Sequence, residues 1–152
     1  MLLTLAHVQN EIIDATFLET IKEDLQLRTV PIIAWDSLKI WPRDQQKHEK
    51  EILLDRVVSP HAFATVVKDS SIEPIFPQNT LLIFDVKENP QDRDFVVARI
   101  NGDDTIMFNR LFVENNIHYL KQNLDNGDVR LIKLNKQLDE ILGTLIEARI
   151  QY

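Results

Sequence analysis

A mainly β fold of antiparallel sheets, with a helical extension at the N-terminus, is the architecture this sequence predicts. From Val30 onward, short runs of β-branched and aliphatic residues recur about every 10 residues, and turn residues separate them. No helical pattern alternates with those runs, so parallel β-α-β units are disfavoured.

The first segment has a different texture. Apolar side chains fall at Leu5, Val8, Ile12, Ile13, Phe17, Leu18, Ile21 and Leu25, close to the period of one or two amphipathic helices. This predicts a helical extension over residues 1–29 and a folded domain over residues 30–152. The extension is too short for the helical bundle of a helix-turn-helix head, and its charges are mostly acidic. The expectation is therefore that no DNA-binding head lies in it. Its apolar stripe suits either an arm laid across a partner or an ordinary helix packed on its own domain.

Strand expectations follow in order: Val30–Trp35, Ala62–Val67, Thr80–Val86, Asp94–Ile100, Thr105–Phe112, Ile117–Lys121, Val129–Leu134 and Glu140–Tyr152. Between them sit turn signals at Glu88-Asn89-Pro90, Asn101-Gly102-Asp103, Glu114-Asn115-Asn116 and Asp125-Asn126-Gly127. The two Asn-Gly pairs are the strongest hairpin signals, because both residues accept positive φ. No internal repeat or low-complexity tract is present. Only three glycines occur in the 152 residues, which excludes a glycine-rich phosphate cradle.

Composition narrows the function. Seventeen Lys and Arg against 24 Asp and Glu give a net charge of −7, which opposes association with a phosphate backbone. The densest basic stretch, Arg43 to Lys50, is interrupted by Asp44 and Glu49 and has no aromatic residue for stacking, so it reads as a solvated loop. Direct DNA binding by this chain is not expected. The absence of cysteine excludes disulfides, thiolate metal sites and cysteine nucleophiles. His7, His48, His61 and His118 lack ligand spacing, so neither a metal nor another cofactor is expected. No apolar run approaches the roughly 20 residues a membrane helix needs, and no secretory signal pattern opens the chain. The expected setting is the cytoplasm, away from membranes.

One stretch carries chemistry. Val66-Val67-Lys68-Asp69-Ser70-Ser71-Ile72-Glu73-Pro74 leads through Ile75 to Thr80 into the apolar run Leu81-Leu82-Ile83-Phe84-Asp85. A serine at the end of a strand, held by a turn, can present its hydroxyl with backbone N–H groups nearby for an oxyanion. A plain polar turn between two strands is the other reading. The stretch resembles the nucleophile motif of LexA-like self-cleaving peptidases and phage-type repressors, a strand followed by Gly-Asp-Ser-Met-x-Pro, a turn and a second strand. On that match Ser71 takes the nucleophile's place, Ile72 stands for the methionine, and Asp69 and Ser70 replace the glycine and the polar residue before the serine.

The resemblance extends over residues 30–152. Asp94 to Gly102 followed by Thr105 to Leu111 resembles the family hairpin whose second strand ends in Val-Lys-Arg-Leu. His118 to Asn123 resembles the next strand and turn, and Ile141 to Ala148 the core of the closing strand. Val30-Pro31-Ile32-Ile33-Ala34-Trp35 resembles the lead-in to the cleavage loop. The implied fold is the β-rich LexA and signal-peptidase type.

Two departures bear on activity. The family reaction uses a neutral, buried lysine to take the serine's proton, and the matching position here is Asn109. An amide can hydrogen-bond a hydroxyl but has no basic lone pair near neutral pH. Rescue would require Lys68, Lys87 or Lys121 to reach the site by a shift of register. The family's scissile pair is a small residue followed by glycine, and the matching positions are Leu38 and Lys39, bulky and charged.

The resemblance therefore implies a protease-inactive module with Ser71 as a vestigial nucleophile. Such a module would resemble a repressor C-terminal domain, acting as a homodimer or as a heterodimer with a related repressor. The alternatives are a self-cleaving peptidase using Ser71 with an unrecognised base, or a polymerase-accessory protein of the same architecture.

Overall fold

The computed structural model describes residues 28–42, 50–68, 76–87, 89–102 and 105–150. The predicted helical extension lies almost wholly outside them, as do Ser71 and most of the basic stretch 43–50. The described part is strand-rich and its strand pairs are antiparallel, as the sequence predicts.

Strand β1 (Arg28–Pro31) pairs with β2 (Glu51–Leu54), placing Arg28 opposite Leu54 and Pro31 opposite Glu51. Pro31 lacks an N–H but is tolerated because β1 has a strand on one side only. Val30 and Leu54 turn inward onto Ala62, Ala64, Leu81 and Ile83. Past β1 the chain docks on β3 (Phe63–Val66). Ile33 donates its N–H to the Ala64 carbonyl at 2.7 Å, and the Thr65 hydroxyl donates to the Ile33 carbonyl at 2.8 Å.

The main sheet has seven strands in the order β3-β4-β9-β5-β6-β7-β8. These are β4 (Leu81–Asp85), β5 (Phe95–Ile100), β6 (Thr105–Glu114), β7 (Ile117–Asn123), β8 (Val129–Lys133) and β9 (Glu140–Arg149). Central β4 and β5 are apolar on both faces, which matches their unbroken sequences Leu-Leu-Ile-Phe and Val-Val-Ala. The ten-residue strands each serve two neighbours. The Thr144–Arg149 half of β9 pairs with β4 and its Glu140–Thr144 half with β5, with register shifts at Ile83/Phe84 and Val97/Ala98. In β6, Thr105–Arg110 pairs with β5 and Leu111–Glu114 with β7.

Two cores lie against the two faces of β5. On one, Val97 joins Phe63, Phe84, Phe108, Leu82, Ile106, Leu142, Leu38 and Trp41. Rings run across this face: Phe63 on Phe84 at 5.3 Å, Phe84 on Phe108 at 5.6 Å and Phe108 on Phe95 at 5.8 Å between centroids. On the other, Val96, Ala98 and Ile100 meet Leu111 and Leu120. Gly143 lets β9 close onto the ring layer, since a Cβ there would stand 2.9 Å from the Phe84 Cβ and 3.3 Å from the Phe63 ring.

Three local features differ from expectation. The run Val30–Trp35 is not one strand: β1 ends at Pro31, and Trp35–Lys39 winds into a 3-10 helix. Strand β2 was not expected; its four residues follow a charged stretch and acquire their pairing from β1. The tightest hairpin turn is Asn115-Asn116, between the paired Glu114 and Ile117, with φ of 51° and 63°. Asparagine tolerates this left-handed conformation without being glycine. The Asn-Gly pairs turn longer loops, joining Ile100 to Thr105 and Asn123 to Val129.

Candidate functional site

The floor of the candidate site is the β5–β6 hairpin, and its best-defined part surrounds Arg99. Strand alternation puts Arg99 on the same face of β5 as Phe95 and Val97, under the 3-10 helix. The residue is 5% exposed. A guanidinium so buried needs its donors matched. Here one nitrogen, Nη1, donates to the carbonyls of Leu38 at 3.1 Å, Lys39 at 3.2 Å and Trp41 at 2.6 Å. The other, Nη2, pairs with Glu140 Oε2 at 2.5 Å, and Glu140 stands directly across from Arg99 in the β5–β9 register.

The guanidinium reinforces the C-terminal end of the 3-10 helix from a strand some 60 residues away in sequence: the Leu38 carbonyl accepts both the Trp41 N–H at 3.4 Å and Arg99 Nη1, and Arg99 Nη1 also reaches the Lys39 carbonyl. Leu38 is fully buried among Ile33, Trp41, Phe63 and Phe108, while Lys39 faces solvent. The two positions matched to the scissile pair are thus a core residue and its exposed neighbour, with both carbonyls held by Arg99.

Asn109 sits on β6 opposite Val96 and is half-buried. Alternation places it on the opposite face from Phe108 and Arg110, away from the Arg99 layer; the Arg110 guanidinium lies 4.6 Å from the Phe95 ring centroid on that other face. Following the register across the sheet, Asn109, Val96, Thr144 and Asp85 form one row on β6, β5, β9 and β4. The Thr144 hydroxyl in this row is buried and has no hydrogen-bond partner among the described residues. Two strand spacings separate it from Asn109, about 10 Å.

Ser71 is outside the described residues, but the ends of its loop are fixed. Val67 donates to the Thr80 carbonyl at 2.9 Å, Asn79 donates to the Val67 carbonyl at 2.7 Å, and the Gln78 amide donates to the Lys68 carbonyl at 2.8 Å. Phe76, where the described chain resumes, packs on Phe95 and Phe108 at 6.0 and 5.8 Å between centroids. The described chain thus stops at Lys68, just past the end of β3, and resumes at Phe76 on the Phe95–Phe108 face of the β5–β6 hairpin, the face opposite Asn109.

Neither Arg99 nor Glu140 stood out in the sequence as a site residue. A signal was present: Arg99 is the only charge within Phe95-Val96-Val97-Ala98-Arg99-Ile100, and a charge in a strand buried on both faces implies a partner.

Among the described residues no three His, Asp or Glu side chains gather as metal ligands, and no helix is long and apolar enough to cross a membrane. Residues 30–146 match the family described as Peptidase S24-like. The chain belongs to the peptidase S24-like family. This agrees with the resemblance to LexA-like repressors carried by residues 30–152. The S24-like chain is also similar to an uncharacterized HTH-type transcriptional regulator of Coxiella burnetii (strain RSA 493 / Nine Mile phase I), with 29% identity over 129 residues, covering 81% of this chain and 59% of the relative. The S24-like chain thus spans about three fifths of that relative's length.

Proposed function

We propose that this S24-like chain is a regulatory and dimerisation module of the repressor type, inactive as a protease. The observation that carries the reading is Asn109 at the position matched to the general base. An amide there can orient the Ser71 hydroxyl but cannot accept its proton, and members of a catalytic set act together, so the gain is lost with the base. The Arg99 clamp supports the same reading. A peptide bond must unwind into an extended or sharply turned form for attack, whereas the Leu38 carbonyl is capped and its side chain is packed in the core. The name of the Coxiella relative supports a role in transcription regulation. The net charge of −7 favours action through protein contacts, as a homodimer or with a related repressor, over direct DNA binding by this chain.

The test is incubation of the purified chain at mildly alkaline pH with fragments followed by mass spectrometry. The natural chain is expected to stay intact, and Asn109→Lys combined with Leu38→Ala and Lys39→Gly is the variant expected to regain cleavage if the rest of the site is sound. A fragment from the natural chain that disappears in Ser71→Ala would overturn the inactive reading in favour of a working peptidase. Sedimentation of the chain across a concentration series tests the second half: a monomer at all concentrations removes the homodimer, leaving only a heteromeric partner.

A further inference from the structure

We propose that the outer edge of β8 pairs with the same strand of a second copy of this chain, antiparallel and in register at Leu131. The inference rests on the homodimer proposed above and gives it a surface. Strand β8 ends the seven-strand sheet, with β7 on one side and no strand on the other among the described residues. Two flanking bonds set the direction of its backbone groups: Leu124 donates to the Asp128 carbonyl at 2.8 Å, and Leu134 donates to the His118 carbonyl at 2.9 Å. Bonded and non-bonded pairs alternate along an antiparallel ladder. Counted inward from those two bonds through the β7–β8 register, Arg130 and Ile132 turn their N–H and C=O groups toward β7, and Val129, Leu131 and Lys133 turn theirs outward. Val129 and Leu131 are also 54% and 57% exposed. An edge of this kind is a template for another strand, and β8 has neither a proline nor a register shift to blunt it.

The charges along the strand select a second copy as the partner. Asp125 and Asp128 precede it, Lys133 ends it and Lys136 follows, and all four are exposed. Arg130, in the middle, donates to the Gln122 side-chain oxygen of its own sheet at 3.1 Å. A strand that runs from acidic to basic is complementary to its own reverse. With the two-fold axis at Leu131, that residue meets its counterpart, Val129 meets the stem of the partner's Lys133, and the acidic end of each strand lies beside the basic end of the other. The outward groups then satisfy one another in about six backbone hydrogen bonds. The axis stands perpendicular to the sheet, so Val129 and Leu131 of both copies share one face, and the two seven-strand sheets become one.

Amide hydrogen exchange of the natural chain, read residue by residue alongside sedimentation over a concentration series, tests the register. Arg130 and Ile132 are expected to be protected throughout, and Val129, Leu131 and Lys133 to gain protection as the dimer forms. Leu131→Pro removes one outward N–H and no bond to β7. It is expected to sediment as a monomer in which Arg130 and Ile132 remain protected, which shows that the hairpin is folded. Lys133→Glu/Lys136→Glu and Asp125→Lys/Asp128→Lys are each expected to raise the dimer dissociation constant about tenfold, and an equimolar mixture of the two to restore association. A dimer in which the Val129, Leu131 and Lys133 amides stay unprotected overturns this surface and leaves the homodimer standing. A monomer at every concentration removes both, and protection of those three amides in it would assign the edge to a segment of the same chain.

Discussion

Arg99 and Asn109 stand on adjacent strands of one hairpin and face opposite sides of it, and the contrast between them separates two roles that a self-cleaving site combines. Arg99 is a full charge in the core, matched by three carbonyls and a carboxylate, and it shapes the segment that holds Leu38 and Lys39. Asn109 is a half-buried neutral amide in a row whose buried Thr144 hydroxyl has no hydrogen-bond partner among the described residues. One position is fixed by geometry and the other carries no geometric demand of the same kind. Architecture in this hairpin therefore does not require the chemistry of its neighbour.

The contrast is most directly tested at Arg99. Arg99→Ala removes the buried donor shared by the Leu38, Lys39 and Trp41 carbonyls together with the partner of Glu140, and is expected to destabilise the fold by about 3–4 kcal/mol in urea unfolding. Arg99→Lys is expected to recover less than half of that loss, because an ammonium on a flexible stem cannot reproduce the guanidinium fork. Leu38→Ala, removing a fully buried side chain from the same clamp, is expected to lower stability by about 3 kcal/mol. Gly143→Ala forces a Cβ against Phe84 and is expected to cost about 2 kcal/mol, measured in the same way. Asn109→Ala should be the smallest, about 0.5 kcal/mol or less. A loss at Asn109 as large as that at Arg99 would break the comparison.

Much of this was legible in the sequence because strand periodicity and turn chemistry are local. Every strand from β3 to β9 overlaps a run expected from the sequence, the four connections from β4 to β8 carry turn signals, and the order of those runs carried the family resemblance. What was not legible depends on distant partners. The 3-10 helix at Trp35–Lys39 is held at its C-terminal end by Arg99, and β2 makes its strand pairing with β1. Local sequence there reads only as a continuing apolar run and the end of a charged loop. At the hairpin, the amide at 109 was readable from the family pattern, whereas the Arg99–Glu140 pair required the register of β5 and β9. Glycine is the usual signal for positive φ, yet the two asparagines at 115 and 116 turn the tightest hairpin.

The strand order has a consequence for synthesis. Strand β9 lies between β4 and β5 and leaves the ribosome after the other strands among the described residues. Until residues 140–149 emerge, β3 and β4 form one fragment and β5 to β8 another, each ending in an apolar edge with no strand beside it. Unpaired edges of that kind are templates for wrong partners. Completion of the sheet therefore waits for residues 140–149, and a truncation before Glu140 removes the seam that joins the two fragments instead of trimming one end.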